Sequence, residues 1–391
     1  MTLFLQTVLN LLLLYLVINV GYSLVFAFAA AFARKSRSTA VNNNNKFLVL
    51  IAAYKGDEVI KYTAADALKQ NYPRDLFDVV VIADSLQKET ITFLNTLDLK
   101  VKEVVFEQST KSKSINEALL DYSDDLYDYA VVLDIDNEMH PDFLLTINQY
   151  LQNNELIVQG HRVAKNLDTN FAILDALSEE VNNTIFRQGH VALGLSCAVI
   201  GSGFATRFKD FKVYMSSIKA IGGFDKELEL RILADKHYID YAPDAMLYDE
   251  KVQVGKVFQN QRRRWLSAQV FYLRKFYLSA FKQLVLKGNF DYFNKVFQFV
   301  LLPRVLMLGF TIITALLVTL LGWSNAGIWK ALPLAAIFSL AIAVPKTMWN
   351  KNTFKALIAL PKLFVLMFSN LFRLKGANRK FLHTPHSQVK K

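Results

Sequence analysis

KFLVLIAAY at residues 46–54, FDVVVIAD at 77–84 and YAVVLDID at 129–136 decide the fold class. Each is a short, continuous apolar run, the pattern of a strand buried on both faces. Val101–Phe106 adds a fourth run, while Glu58–Gln70 and Lys111–Leu120 carry helical spacing between them. Strands alternating with helices predict a doubly wound, mostly parallel α/β sheet, which takes its ligands at the carboxyl ends of the strands. Polar residues gather at those ends: Lys55-Gly56-Asp57, Asp84-Ser85 and Asp134-Ile135-Asp136.

The absent motifs narrow the chemistry. No GxGxxG follows the first strand and no GxxxxGK[ST] occurs, which removes the main support for dinucleotide-binding and P-loop readings. No His/Cys cluster has zinc spacing, and no GxSxG supplies a hydrolase nucleophile. A single cysteine, Cys197, rules out an internal disulfide framework. The net charge of +11 first suggests a nucleic-acid partner, but its location argues otherwise. From Tyr292 to Lys391 there are thirteen Lys and Arg and no acid, which leaves the remainder with 32 basic against 34 acidic residues. The positive charge belongs to a hydrophobic C-terminal third, and no nucleic-acid partner is expected.

Hydropathy places membrane segments on both sides of the α/β region. Thr2–Ala33 contains no charged residue and is followed by Arg34, Lys35 and Arg37. About 20 apolar residues span a bilayer core of roughly 30 Å. The stretch is too long for a signal-peptide core and lacks a basic leader, so an uncleaved anchor is expected, with the basic flank and the α/β region in the cytoplasm. Val305–Trp323 and Ile328–Val344, which contains Pro333, are further candidate spans. Ala356–Phe372 carries Pro361 and Lys362 and is expected to be re-entrant or interfacial, which keeps the basic tail inside. The expected organisation is an anchor at 1–35, a catalytic α/β domain at 36–265, an amphipathic interfacial region at 266–292 and a membrane or re-entrant region with a basic tail at 293–391.

Three local motifs each admit a plain reading beside a functional one. Asp134-Ile135-Asp136 closes an apolar strand; paired carboxylates suit a hard divalent cation shared with phosphates, or simply form a turn that caps the next helix. Gly222-Gly223-Phe224-Asp225-Lys226-Glu227 leads into a helix, where acids complement the macrodipole whether or not they react. Gln261-Arg262-Arg263-Arg264-Trp265 precedes an apolar stripe of Leu266, Val270, Leu273, Tyr277, Phe281 and Leu284. Its arginines suit lipid phosphates or a diphosphate, and Trp265 offers a flat face to a sugar.

Taken in order, these pieces resemble the membrane-embedded family 2 glycosyltransferases, the group that includes cellulose, chitin and hyaluronan synthases and ceramide glucosyltransferase. The matching residues run from Ile51-Ala52-Ala53-Tyr54 through Asp84, Lys111–Asn116 and Asp134-Ile135-Asp136 to Gly201-Ser202-Gly203, Gly222–Leu230 and Gln261–Trp265. They cover roughly residues 46–270. The resemblance implies a GT-A fold and an inverting, metal-dependent transfer from a nucleotide sugar, expected to be UDP-linked, to a lipid or growing glycan at the membrane. It implies that Tyr54 and Asp84 hold the uridine, with Lys111 near the nucleotide. Asp134 is expected on the sugar or ribose side, and Asp136 as ligand of Mg²⁺ or Mn²⁺. Gly201, Ser202, Gly203 and Trp265 are expected at the acceptor, with Gln261 and Arg264 on the diphosphate. Glu227 stands where the family has the Asp of a Glu-Asp pair, and is the expected general base. Glu229, about 200° further round a helix, is expected to point elsewhere. The chain departs from the family pattern at Ala52, at Gly56 and at the pair Lys226-Glu227. A membrane scaffold built on an inactive transferase domain is the competing class.

Overall fold

The computed structural model describes residues 3–33, 43–152, 155–322 and 326–374. The basic flank Arg34–Arg37 and the tail from Lys375 lie outside the described residues.

Among the described residues eight strands form one sheet: β1 (Phe47–Tyr54), β2 (Phe77–Asp84), β3 (Lys100–Val104), β4 (Tyr129–Asp134), β5 (Glu138–Met139), β6 (Ile157–Ala164), β7 (Phe204–Arg207) and β8 (Ile239–Asp249). Their order is β3-β2-β1-β4-β7-β6-β8-β5. The first four are parallel, as their apolar runs predict. Alternate residues of these strands enter two cores. Leu48, Leu50, Val80, Ile82, Ala130 and Val132 face one way; Val49, Ile51, Val79, Val81, Val131 and Leu133 face the other. From β1 the chain runs outward to β2 and β3 and then returns to place β4 on the other side of β1. The carboxyl ends of β1 and β4 therefore meet at a topological switch point.

The rest of the sheet departs from the purely parallel expectation. β7 is antiparallel to both β4 and β6, and β5 is antiparallel to β8. β6 and β8 pair in parallel with a break in register at Gly160/His161, where residues 243–245 bulge out. Pro243 lies in that bulge, where its missing N–H removes no ladder bond.

A helical body packs on one side of the sheet. The N-terminal helix Leu3–Ala31 buries Leu16 and Val20 against Met307, Trp329 and Ala336. Further along, its Phe26 and Ala27 join Ile173, Leu177, Val344 and Leu363. Polar ties fix this joint: Asn19 Oδ1 accepts Leu302 N–H at 2.7 Å, and Arg304 donates to Asn182 Oδ1 at 2.7 Å and Ser178 at 2.9 Å. Of the described helices, one is long and apolar enough to cross a membrane by itself, with its span at Gln6–Ala31. Arg304–Leu320 and Gly327–Ala343 are shorter apolar helices, and Lys351–Leu357 meets Leu360–Leu371 at a 45° bend. Gln261–Trp265 and the apolar stripe after it form a single helix, Gly255–Lys287, so the boundary expected after Trp265 falls inside one rigid element.

Candidate active site

A cavity of about 950 Å³ opens at the carboxyl ends of β1, β2 and β4. Register fixes its floor, since Tyr54 is paired with Asp84 and Ala52 with Asp134 across neighbouring strands. Both β1 and β2 are followed at once by a left-handed residue, Lys55 with φ 49° and Ser85 with φ 60°. Side chains rarely adopt that conformation, and such outliers mark sites held by their surroundings. Asp84 is 2% exposed; its Oδ1 accepts the Ser85 hydroxyl at 3.0 Å, and its Oδ2 has no partner among the described residues. An unsatisfied buried carboxylate oxygen facing a cavity is costly unless a ligand completes it.

Lys111 opens the helix Lys111–Leu119, which Thr110 caps. Its Nζ donates to Asp134 Oδ1 at 2.5 Å and to the Gly201 carbonyl at 2.7 Å. The Asp134 side chain keeps 38% of its surface open to the cavity, although it lies deep in the protein. Burial pushes its carboxyl upward, but the charge and hydrogen bond of Lys111 outweigh this and hold it below the usual carboxylate range. Beyond the strand, Asp136 Oδ2 accepts Glu250 N–H at 3.1 Å. Asp249 follows from β8, its carboxyl pushed up to about 6 by burial against the pull of Lys251 and Arg162. Among the described residues no group of three His, Cys, Asp or Glu forms a protein-only metal cage. Mg²⁺ and Mn²⁺ sites do not need one, because one or two carboxylates plus substrate phosphates and water complete them, and the oxygen donors of Asp134 and Asp136 fit that chemistry.

The opposite wall is the long helix. Gln261, Arg264 and Trp265 line the cavity, and Gln261 Oε1 is buried without a partner among the described residues. Burial lowers the Arg264 guanidinium below its ordinary range. Arg262 pairs with Asp175 and lies over the Trp265 ring at 4.4 Å, so one face of that indole is already covered.

Nine of the twelve expected site residues therefore line one volume: Tyr54, Asp84, Lys111, Asp134, Asp136, Gly201, Gln261, Arg264 and Trp265. Ser202 and Gly203 lie behind the wall, where the Gln159 amide donates to both carbonyls at 3.0 Å. Gly203 is there for backbone reasons: its φ is 65°, and a Cβ would sit 2.6 Å from Leu247.

Glu227 is the largest departure from expectation. It is 4% exposed and faces away from the cavity, with Arg231 at 2.7 Å on one oxygen and Lys275 at 3.0 Å on the other. On this helix the acids that line the cavity are its neighbours Asp225 and Glu229. Four residues apart, they share one helix face, and Glu227 falls on the other. Helical phase carries that signal in the sequence, and the pair Lys226-Glu227 masks it. Glu229 is tied to Lys295 at 2.9 Å and accepts Val199 N–H at 3.3 Å. Asp225, in the first turn of Phe224–Ala234, has no ion pair or side-chain hydrogen bond among the described residues. It stands beside Gly201, where an added Cβ would lie 3.7 Å from the Asp225 Cγ.

The profile of glycosyltransferase-like family 2 matches residues 44–268, more than half of the chain. The chain belongs to this family. A probable glycosyltransferase of Bacillus subtilis, YdaM, is 26% identical over 274 residues, covering 66% of this chain. The chain in turn spans 63% of the length of that relative. Among solved structures, a mannosyltransferase from Pyrobaculum calidifontis, in complex with GDP-Man and Mn²⁺, superposes with a TM-score of 0.52 at 15% identity. The match covers 86% of this chain and 97% of the other, and shows a shared GT-A fold. The cavity at the switch point is thus the candidate active site of a family 2 glycosyltransferase.

Proposed function

We propose that the chain is an inverting glycosyltransferase that moves a sugar from a UDP-linked donor to a hydroxyl of a membrane-associated acceptor. The observation that carries the reading is the single cavity at the switch point. It joins an open carboxylate oxygen, a lysine–aspartate pair, the Gln261–Arg264–Trp265 face and a cavity-facing acid at a helix start.

Asp84 supports a uracil base stacked on Tyr54. Uracil offers one N3–H between two carbonyls, and Asp84 Oδ2 is open to accept it. Lys111 stands between Asp134 and Gly201 with ammonium donors for a phosphate, and Arg264 and Gln261 approach from the facing helix. Asp136, together with Asp134, would hold Mg²⁺ or Mn²⁺, which when bound offsets charge growing on the departing diphosphate.

Asp225, not Glu227, has the geometry of the general base. It accepts the proton of the acceptor hydroxyl, whose oxygen bonds to the anomeric carbon as the bond from that carbon to the β-phosphate oxygen breaks. The nucleoside diphosphate leaves with the electron pair, and a single displacement inverts the centre. Such a base contributes about 10²–10⁴-fold.

The expected organisation is retained as part of the proposal: anchor, catalytic domain, interfacial helix and C-terminal membrane region, with the catalytic domain cytoplasmic. Exposed Leu316, Leu320, Leu334, Phe338 and Val365 support a lipid-facing helical body. Binding and turnover of a panel of UDP- and GDP-sugars, with Mg²⁺ or Mn²⁺ and with membrane lipids as acceptors, tests the reading. UDP donors should bind at least about tenfold tighter than GDP donors, and a GDP preference would overturn the assignment of the nucleobase.

A further inference from the structure

The cavity does not stop at the donor site. Past Gln261 and Arg304 it continues between the helix Asn170–Asn182 and the C-terminal helices. There its walls are Leu308, Leu340, Val344, Leu360, Leu363 and Met367, with Leu174 and Leu177 opposite. Ile337 and Trp349 also line this limb and are 50% and 37% exposed, so it reaches the outer surface where Leu334 and Phe338 are bare.

Resting on the transferase reading above, we propose that the acceptor is an amphiphile with a long hydrocarbon chain. The chain lies in the apolar limb and the hydroxyl end reaches Asp225. Three observations carry this. The limb is continuous with the cavity that holds Asp225, so chain and reacting oxygen belong to one molecule. Its walls turn apolar beyond the belt of Asp175, Ser178, Asn182, Gln261, Arg262 and Arg304, a polarity change that matches a headgroup followed by a tail. The opening lies among exposed apolar side chains, so a chain enters from lipid without crossing water. A growing glycan would meet aliphatic walls at the point where its hydroxyls need partners.

The test uses the full-length protein in detergent and a photoreactive probe, a long-chain alcohol with a diazirine near the chain end, mapped by mass spectrometry. UDP binding is measured in parallel. Labels are expected on Leu340, Val344, Leu363 or Met367, displaced by unlabelled long-chain alcohol and not by a soluble oligosaccharide. Among alkyl acceptors that differ in chain length, each added methylene should raise kcat/KM by about fourfold until the limb is full. Ala341→Trp fills the limb and should abolish internal labelling with UDP binding retained; Leu340→Phe serves if that variant does not fold. Labels confined to Leu334, Phe338 and Val365, or internal labelling undiminished in the filled variant, would overturn the proposal. Absence of binding of both UDP- and GDP-sugars in the wild-type protein would instead sink the transferase reading on which it rests.

Discussion

Asp225, Glu227 and Glu229 lie within five residues of one another, carry the same charge and have three different environments. Asp225 faces the cavity without an ion pair among the described residues, Glu227 clamps two helices together, and Glu229 is locked to a buried lysine. Asp225→Asn should therefore lower transfer by about 10²–10⁴-fold with UDP affinity unchanged, as read from kcat and a nucleotide titration. Glu227→Gln should leave the chemical step nearly intact. Its cation partners are each more than a third exposed, so the loss of stability should be only about 1 kcal/mol. If Glu227→Gln proves the crippling change while Asp225→Asn is mild, the assignment of the general base is wrong. Asp84→Asn tests the donor end of the site. Replacing a charged acceptor by an amide should weaken UDP binding by about 10–100-fold, while an unchanged Kd would remove Asp84 from nucleobase recognition.

At the scale of elements, the sequence made the parallel half of the sheet legible and hid the other half, for physical reasons. β1, β2 and β4 are buried on both faces, so their apolar runs are uninterrupted. β6 contains Gly160, His161 and Arg162, and β8 contains Pro243, because that end of the sheet bulges and lends polar side chains to buried ion pairs. An apolar run cannot announce a strand that carries buried charge. The same logic applies to the site: strand ends exposed Tyr54, Asp84 and Asp134 to sequence reading, whereas Asp225 depended on helical phase. Gly160 itself is testable. A Cβ there would meet Phe143 at 2.8 Å and the carbonyls of Ala245 and Gly203 at 2.9 Å, so Gly160→Ala should cost about 3 kcal/mol and visibly lower the Tm. An unchanged Tm would mean that the bulge is loose.

For the whole molecule, one cavity links the sheet's switch point to the helical body, so the proposed catalysis and membrane attachment share one architecture. The proposed orientation puts the catalytic domain on the side where nucleotide sugars are made. A labelling tag at Asn43 should report from the cytoplasmic face, and an external signal would refute that orientation. Inverting transfer from a UDP donor, with Asp225 as the base, is read from the anomeric configuration of the product. NMR of material made by the purified wild-type protein from an α-linked UDP-sugar and a lipid acceptor should show a β linkage, with product almost absent for Asp225→Asn and present for Glu227→Gln. A retained α linkage, or undiminished product from Asp225→Asn, would contradict the account.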